Sequence, residues 1–243
     1  MNAAQTDDVL EPWAVRAINL AEHRDNPVHT DKGAQAAGFE RALVAGTTVY
    51  AYLTHVPSAT WGTDWISGGG GELKLKRPVF EADAVECVVA TDEAGLPTVA
   101  AMVNGTPKAT LELWKSVEEP SVRSGNALPA IELVLTADEV TYGRRCGDDL
   151  TLYDQLGVVH PVIWANLANR VFKQFLVTGP WVHVRSKFFH QALAPVDAAI
   201  RIESVLVDRF DSRAGERALV DIVISANDRS VVTIEHEAIV VLP

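Results

Sequence analysis

The feature that most constrains the fold is one order of elements repeated on either side of a central segment. That segment, 116–129, is rich in Pro, Ser, Gly and charge and has neither helical nor strand periodicity, which is typical of a linker. On each side of it, one helical pattern precedes several strand patterns. We interpret the halves as a diverged internal repeat, with a first unit at 1–117, a linker at 118–129 and a second unit at 130–243.

The first half contains one predicted helix and four predicted strands. Val49, Leu53 and Val56 recur at helical spacing within 47–56. Alternating or β-branched apolar residues predict the strands that follow, at 72–76, 84–90, 99–103 and 109–114. The glycine run 68–71 lacks the Gly-Lys-Ser/Thr ending of a phosphate-binding loop and predicts a flexible connection.

The second half repeats this order with a stronger helix. Pro161 suits a first helical position, and Ile163, Leu167, Val171 and Phe175 follow at intervals of four. Strands are predicted at 181–189, 199–207, 217–225 and 231–241. A long helix followed by an antiparallel meander predicts an α+β fold in which each sheet wraps around a central helix, and two copies would pair their sheets edge to edge.

Two short motifs resemble those of a known family. Residues 23–31 read HRDNPVHTD and residues 38–46 read GFERALVAG. They resemble the Gly-Asp-x-Asn-Pro-Leu-His and Phe-x-x-x-Ile-x-His-Gly motifs of MaoC-like dehydratases, or (R)-specific enoyl-CoA hydratases. The resemblance implies a double hotdog fold. It also implies a hydratase or dehydratase acting on an enoyl or 3-hydroxyacyl thioester of CoA or an acyl carrier, without cofactor or metal.

In that family an Asp and a His activate water, and a backbone N–H at the start of the central helix stabilises the thioester oxygen. The resemblance implies that His29 is the principal acid or base, that Asn26 belongs to the site and that Gly46 is the backbone donor. Two positions depart from the pattern, because Arg24 stands in the Asp slot and Ala45 in the slot of a second His.

The carboxylate partner of His29 is therefore open among three residues. Asp25 is one position past the family's slot, Asp31 follows His29 by two positions, and Asp148 lies in a remnant of the motif in the second half.

In that remnant Tyr153 stands in the His slot and Pro161 at the start of the helix. Because proline has no N–H to donate, the expected site lies in the first half. The expected substrate-binding residues are Asp31, Phe39, Arg77, Tyr153 and His160.

Composition excludes several other classes of protein. A net charge of −11 and a pI near 5.0 oppose binding to nucleic acid. No apolar run is long enough for a membrane helix, and an acidic N-terminus without a hydrophobic stretch predicts a cytoplasmic protein. Two cysteines cannot form a disulfide framework. Both a closed monomer and a homo-oligomer are compatible with the repeat.

The remaining basic and histidine motifs have ordinary structural interpretations. A phosphate-bearing ligand would need a local basic patch, and the candidates are Lys74 with Lys76 and Arg77, Arg144 with Arg145, and Arg185 with Lys187. Taken alone, each cluster is interpreted as a solvated face, and His236 as a solvated or sheet-edge histidine. Two other functions remain open. A thioesterase of the same fold would use a carboxylate-activated water, and a noncatalytic acyl-CoA-binding protein would account for the two departures from the motif.

Overall fold

The computed structural model describes residues 9–91, 95–118 and 120–242. The N-terminal residues 1–8, on which the cytoplasmic expectation depends, lie outside this part, as does Glu119 of the predicted linker. Two 3-10 turns span Ala21–His23 and Pro27–His29. The strands and α-helices are β1 (Trp13–Arg16), α1 (Asp31–Ala36), α2 (Gly46–Gly68), β2 (Gly70–Leu75), β3 (Ala84–Thr91), β4 (Pro97–Val103), β5 (Thr106–Trp114), β6 (Asn126–Val134), α3 (Ala137–Val140), α4 (Tyr142–Arg145), α5 (Leu152–Leu156), α6 (Val162–Phe175), β7 (Val182–His190), β8 (Ala199–Ser212), β9 (Gly215–Ala226) and β10 (Arg229–Val241).

The described strands form one antiparallel sheet in the order β1-β3-β4-β5-β2-β7-β10-β9-β8-β6. Counted outward from the centre, the first half runs β2-β5-β4-β3-β1 and the second runs β7-β10-β9-β8-β6, so the two halves match strand for strand. They join where β2 pairs with β7, from Gly70 opposite Phe189 to Lys74 opposite Arg185. The predicted edge-to-edge pairing of two repeats, and with it the α+β double hotdog fold, is confirmed.

Each half places a long helix against its sheet. Val49, Leu53 and Val56 of α2 are buried as predicted, but α2 continues to Gly68 through a break at Gly62, where φ is 53°. Residues 47–58 are buried on every side, because α6 packs against the face of α2 that the sheet leaves open. The second-half helix, with Pro161 at its N-cap, matches its predicted position.

The glycine run 68–71 ends in residues that pack closely between neighbouring strands, so the prediction of a flexible connection is wrong. Gly70 and Gly71 belong to β2, which lies between β5 and β7. A Cβ on Gly70 would stand 2.0 Å from the carbonyl oxygen of Phe188, and one on Gly71 would stand 2.4 Å from that of Glu112. Glycine is needed here because neighbouring backbones approach closely.

Two strands of the structure were not predicted from the sequence. Strand β6 begins at Asn126, inside the predicted linker, and pairs with β8. The short β1 pairs with β3 at the opposite edge of the sheet. None of the helices in the described ranges combines the length and apolarity that crossing a membrane requires.

Candidate active site

A cavity of about 460 Å³ lies between the first-half motif segments and the second half. The first half contributes His23, His29 and Gly46 to its wall, and the second half contributes Trp181 and His183. Much of the remaining wall is apolar, from Val28, Phe39, Leu43, Val44, Val49, Leu75, Val79, Val182 and Ile239. Phe39, which the sequence analysis predicts to bind substrate, is part of this wall.

His29 is held in a defined tautomer at the cavity wall. Its Nδ1 lies 2.8 Å from the carbonyl oxygen of Leu43. Because a carbonyl only accepts, Nδ1 carries the proton and Nε2 of the neutral ring carries the lone pair. Burial lowers the pKa of His29, which favours the neutral ring at neutral pH. Nε2 is therefore the nitrogen that can take a proton from a molecule in the cavity.

His23, rather than Arg24, is the residue of the motif that faces inward. Arg24 and Asp25 are exposed, whereas His23 is 9% exposed and lines the cavity. The ring centroids of His23 and His29 lie 5.6 Å apart. Burial lowers the pKa of His23 to about 3, so this second imidazole is also neutral. It stands near the place where the resemblance implied an aspartate.

Tyr142 of the second half connects His23 to helix α2. Its hydroxyl lies 2.6 Å from His23 Nε2, 2.7 Å from Thr48 Oγ1 and 3.1 Å from Thr47 Oγ1. Burial raises the pKa of Tyr142 well above its ordinary value, so the phenol stays neutral. A phenol donates one hydrogen bond and accepts others, which suits this junction of three side chains.

Gly46 begins α2 at the cavity wall. The first N–H groups of a helix lack intrahelical acceptors and favour negative charge nearby. A Cβ on Gly46 would stand 2.4 Å from Leu75 Cδ1 and 3.2 Å from His183 Nδ1. Glycine therefore keeps space open beside the start of the helix, where the resemblance implied a backbone donor.

Asn26 holds the motif segment against the second half. The side chain is 5% exposed, and its Nδ2 donates to the carbonyl oxygen of Trp181 at 2.8 Å. Its Oδ1 accepts from the backbone N–H of Trp181 at 3.4 Å. Because these contacts occupy the amide, Asn26 positions the loop although it also lines the cavity.

In the part of the chain that the structure describes, no carboxylate lines the cavity. Asp25 is exposed and pairs with Lys173 of α6 at 2.7 Å. Asp31 is exposed and accepts the backbone N–H of Ala42 at 2.9 Å, which fixes the loop after α1. Asp148 bonds to other histidines. The expectation that one of these three carboxylates partners His29 is therefore wrong, and Asp31, which was also predicted to bind substrate, does not line the cavity.

Asp148 instead forms the centre of a buried cluster at the second-half end. Its two oxygens lie 3.0 Å from His55 Nδ1 and 2.8 Å from His160 Nε2, and Oδ1 also accepts from the backbone N–H of Leu150 at 2.9 Å. Burial raises the pKa of Asp148, but the hydrogen bonds from His160, His55 and Leu150 outweigh it and hold the pKa well below its usual range.

Little space remains beside this cluster, since the cavity there is about 20 Å³. Tyr153 lies against His160, with ring centroids 4.3 Å apart, and both side chains are buried. The predicted substrate-binding residues Tyr153 and His160 thus fill the second-half end and do not line the large cavity.

Among the described residues, ligand atoms of His55, Asp148 and Asp149 lie within 4.8 Å of one another. The Asp148 oxygen nearest to His55 already accepts the Leu150 N–H, and the Asp149 side chain is 78% exposed. These contacts are accounted for by hydrogen bonds to the Asp148 carboxylate, and we assign no metal to them.

The charged side chains in the described wall of the large cavity are all basic, although the chain is acidic overall. Arg77, a predicted substrate-binding residue, lies there with Lys76 beside it, and neither has a carboxylate partner among the described residues. Lys173 and Arg217 complete the set from the second half. Lys173 is paired with Asp25 and Arg217 with Glu237, so an anionic group at this rim would find uncompensated positive charge on Lys76 and Arg77.

The other basic clusters are ion-paired, which supports their interpretation as solvated faces. The pairs are Lys74 with Glu72 and Glu112, Arg185 with Glu72 and Glu237, Lys187 with Glu235, Arg144 with Asp154, and Arg145 with Glu22. His236 differs from its prediction. It is fully buried, because its ring lies on the sheet face that packs against α6, where the ring centroid of Phe172 is 4.9 Å away.

The sheet order and the paired central helices define a double hotdog protein. Among solved structures, a MaoC-like dehydratase matches with a TM-score of 0.62 at 12% identity, over 96% of this chain and 98% of that chain. A conserved hypothetical double-hotdog protein from Mycobacterium tuberculosis matches with a TM-score of 0.63 at 12% identity, over 96% and 97%. A putative oleoyl thioesterase from Lactobacillus plantarum matches with a TM-score of 0.58 at 8% identity, over 98% of both chains. Neither a family model nor a curated protein matches the sequence.

Proposed function

We propose that this protein is a hydratase or dehydratase that adds water to an enoyl thioester, or removes it from a 3-hydroxyacyl thioester, with His29 as the proton-transferring group. The observation that carries the proposal is the shared cavity of His29 and Gly46. The Leu43 carbonyl fixes His29 with Nε2 as the free base, and the start of α2 supplies N–H donors at the same wall.

One nitrogen can serve both proton transfers. The water oxygen bonds to C3 while His29 Nε2 takes a proton from that water. The π electrons of the C2=C3 bond move toward the thioester carbonyl, whose developing negative charge the Gly46 N–H stabilises. His29 then returns its proton to C2, so one water is added and the imidazole ends neutral. Dehydration is the same sequence in reverse.

His23 takes over the orienting role that the resemblance implied for an aspartate. Its neutral ring can hydrogen-bond the water beside His29, since the two ring centroids are 5.6 Å apart. Tyr142 fixes the ring through its 2.6 Å contact with Nε2. A neutral partner adds no cation next to the imidazolium that forms transiently on His29.

The basic rim suits the phosphate groups of CoA or of a carrier's phosphopantetheine. Lys76 and Arg77 directly follow β2 at the cavity, and much of the remaining wall is apolar. An acyl-CoA thioester has an apolar acyl chain, a polarisable carbonyl and a distant phosphate, and the cavity offers an apolar wall, His29 with Gly46, and a basic rim to these three parts. The absence of a carboxylate from the described wall favours hydration over a thioesterase reaction that relies on a carboxylate-activated water.

The test is turnover of crotonyl-CoA by the full chain, with separate assays for 3-hydroxybutyryl-CoA and for free thiol. His29→Gln should lower the hydration rate by about 10³-fold, within the range for loss of a general base. His190→Leu is the matched control, since His190 is a buried histidine outside the cavity wall. Release of free thiol would indicate a thioesterase, and binding without turnover would indicate the noncatalytic alternative.

A further inference from the structure

A buried polar group of the second half reaches the wall of the first-half cavity. His183 and Ser186 lie on β7, and His236 lies on the neighbouring β10. Ser186 Oγ is 2.7 Å from His183 Nε2 and 2.8 Å from His236 Nδ1, and the two rings stack with centroids 4.2 Å apart. We refer to His183, Ser186 and His236 as the His-Ser-His cluster.

The outer atom of this cluster has no partner of its own. His183 is 6% exposed, and its Nδ1 makes no hydrogen bond with any described residue. The ring lines the cavity, and Nδ1 would stand 3.2 Å from a Cβ built on Gly46. A buried polar atom without a partner costs free energy, so an unpaired nitrogen at a cavity wall points to a ligand.

The hydrogen bonds of the cluster indicate which nitrogen of His183 carries the proton. If Ser186 donates to His183 Nε2 and accepts from His236 Nδ1, His183 presents Nδ1–H to the cavity. Either assignment leaves one buried N–H without an acceptor in the described part of the chain, on His183 Nδ1 or on His236 Nε2, but of the two rings only His183 lines the cavity, where a ligand can accept the hydrogen bond. Orphaned buried N–H groups are rare, which favours the first assignment.

Both rings of the cluster are neutral. Burial lowers the pKa of His183 to about 3, and the nearby Arg185 carbonyl, which does not reach hydrogen-bond geometry with the ring, opposes this only in part. Burial and the neighbouring His183 lower the pKa of His236 well below its ordinary value. A neutral imidazole can donate from Nδ1 without giving its proton away, which is the behaviour expected of a carbonyl-polarising donor.

We propose that His183 is a catalytic residue supplied by the second half, whose Nδ1–H donates to the thioester carbonyl oxygen beside the Gly46 N–H. This inference rests on the proposed function of the cavity. The carbonyl oxygen would then receive one donor from each half of the chain, and the proton would stay on His183 throughout. Ser186 and His236 are positioning residues that select the tautomer.

The first experiment observes the tautomer directly, by long-range nitrogen-15 NMR of the full chain with labelled histidine. We expect protonated Nδ1 and bare Nε2 on His183, and loss of this single tautomer in Ser186→Ala. Saturated butyryl-CoA, which cannot be hydrated, should shift His183 Nδ1 together with His29. A proton on Nε2 would overturn the inference, and so would a shift of His29 without one of His183, or no binding at all.

The second experiment separates catalysis from folding. His183→Leu should lower kcat for crotonyl-CoA by about 10²-fold while KM changes less than about threefold. His183→Asn, which keeps an N–H near the Nδ1 position, should recover at least about tenfold of that loss. His190→Leu on the same strand is the control and should retain turnover. Equal activity of the Leu and Asn variants would overturn the role.

The two proposals can fail separately. Hydration that depends on His29 but not on His183 would leave the proposed function standing and remove this inference. If the chain hydrates no thioester but butyryl-CoA contacts His183 Nδ1, the proposed hydratase function fails. The assignment of His183 as a hydrogen-bond donor to the bound thioester then stands.

Discussion

The two ends of this double hotdog differ in opposite ways at equivalent positions in the sheet. At the first-half end, His29 and Gly46 line a cavity of about 460 Å³, and the nearby Asp25 is drawn to the surface by Lys173. At the second-half end, the acid survives as Asp148 but is buried between His55 and His160, beside about 20 Å³ of space. One end has a cavity without a carboxylate, and the other has a carboxylate without a cavity.

This difference between the two ends indicates that one repeat can contribute to stability while the other forms a ligand site. At both ends, an acid from the motif of one half contacts the central helix of the other half. Asp148 makes this contact in the interior, where charged hydrogen bonds hold the halves together. Asp25 makes it in solvent, where an ion pair contributes little to stability. We call the second-half end around Asp148 the closed end, and the first-half end with the large cavity the open end. The closed end is therefore expected to stabilise the chain, and the open end is expected to bind ligand.

The largest expected effect follows from removing the charge at the closed end. Asp148→Asn should lower the free energy of unfolding by about 3 kcal/mol, since hydrogen bonds to a buried charge are strong and their loss leaves histidine nitrogens unpaired. Urea denaturation measures this. Asp149→Asn, at an exposed neighbour, is the control and should change the value by less than about 0.5 kcal/mol. Equal effects would contradict a structural role for the closed end.

The next effect is the pH dependence that the open end adds through His23. The folded chain keeps His23 neutral down to a pKa of about 3, whereas the unfolded chain protonates it below its ordinary value. The unfolded state thus binds one more proton in this window, and stability is lost as the pH falls. His23→Gln should flatten the slope of unfolding free energy against pH by about 1.4 kcal/mol per unit between roughly pH 6 and 4. An unchanged slope would mean that His23 titrates normally.

The smallest effect concerns the rim of the open end. Lys76→Ala and Arg77→Ala should each raise the KM for crotonyl-CoA about fivefold, or about 1 kcal/mol, with a stronger effect at low salt. Lys74→Ala is the matched control, because Lys74 is already paired with Glu72 and Glu112. A crotonyl thioester without phosphates should be insensitive to all three changes. If each variant changed the KM of both substrates by the same factor, the interpretation that Lys76 and Arg77 bind phosphate would be contradicted.

The sequence predicted the fold well because the fold depends on repeated patterns. The helix at 162–175 and the strand runs in each half have the apolar periodicity that burial requires, and the structure contains them. Strand β6 was missed because half-exposed residues and Pro129 obscure its alternation. The glycines of β2 were interpreted as a flexible connection, because the close approach of neighbouring strands cannot be recognised from the sequence of one strand alone.

The candidate site was predictable only in part. His29 and Gly46 carry motif positions that can be read along the chain. His23 could not be assigned, since which of residues 23 to 25 faces inward depends on how the Pro27–His29 turn is anchored by Asn26 to Trp181. His183 could not be assigned either, because it reaches the cavity from the other half through the β2–β7 pairing.

The most direct test of the central claim is a crystal structure of the chain with butyryl-CoA. The account predicts the thioester in the first-half cavity, with its carbonyl oxygen about 3 Å from the Gly46 nitrogen, within hydrogen-bond distance. It also predicts C3 of the acyl group facing His29 Nε2. An acyl group bound beside Asp148 and His160, or outside the first-half cavity, would contradict the assignment of the open end as the thioester site.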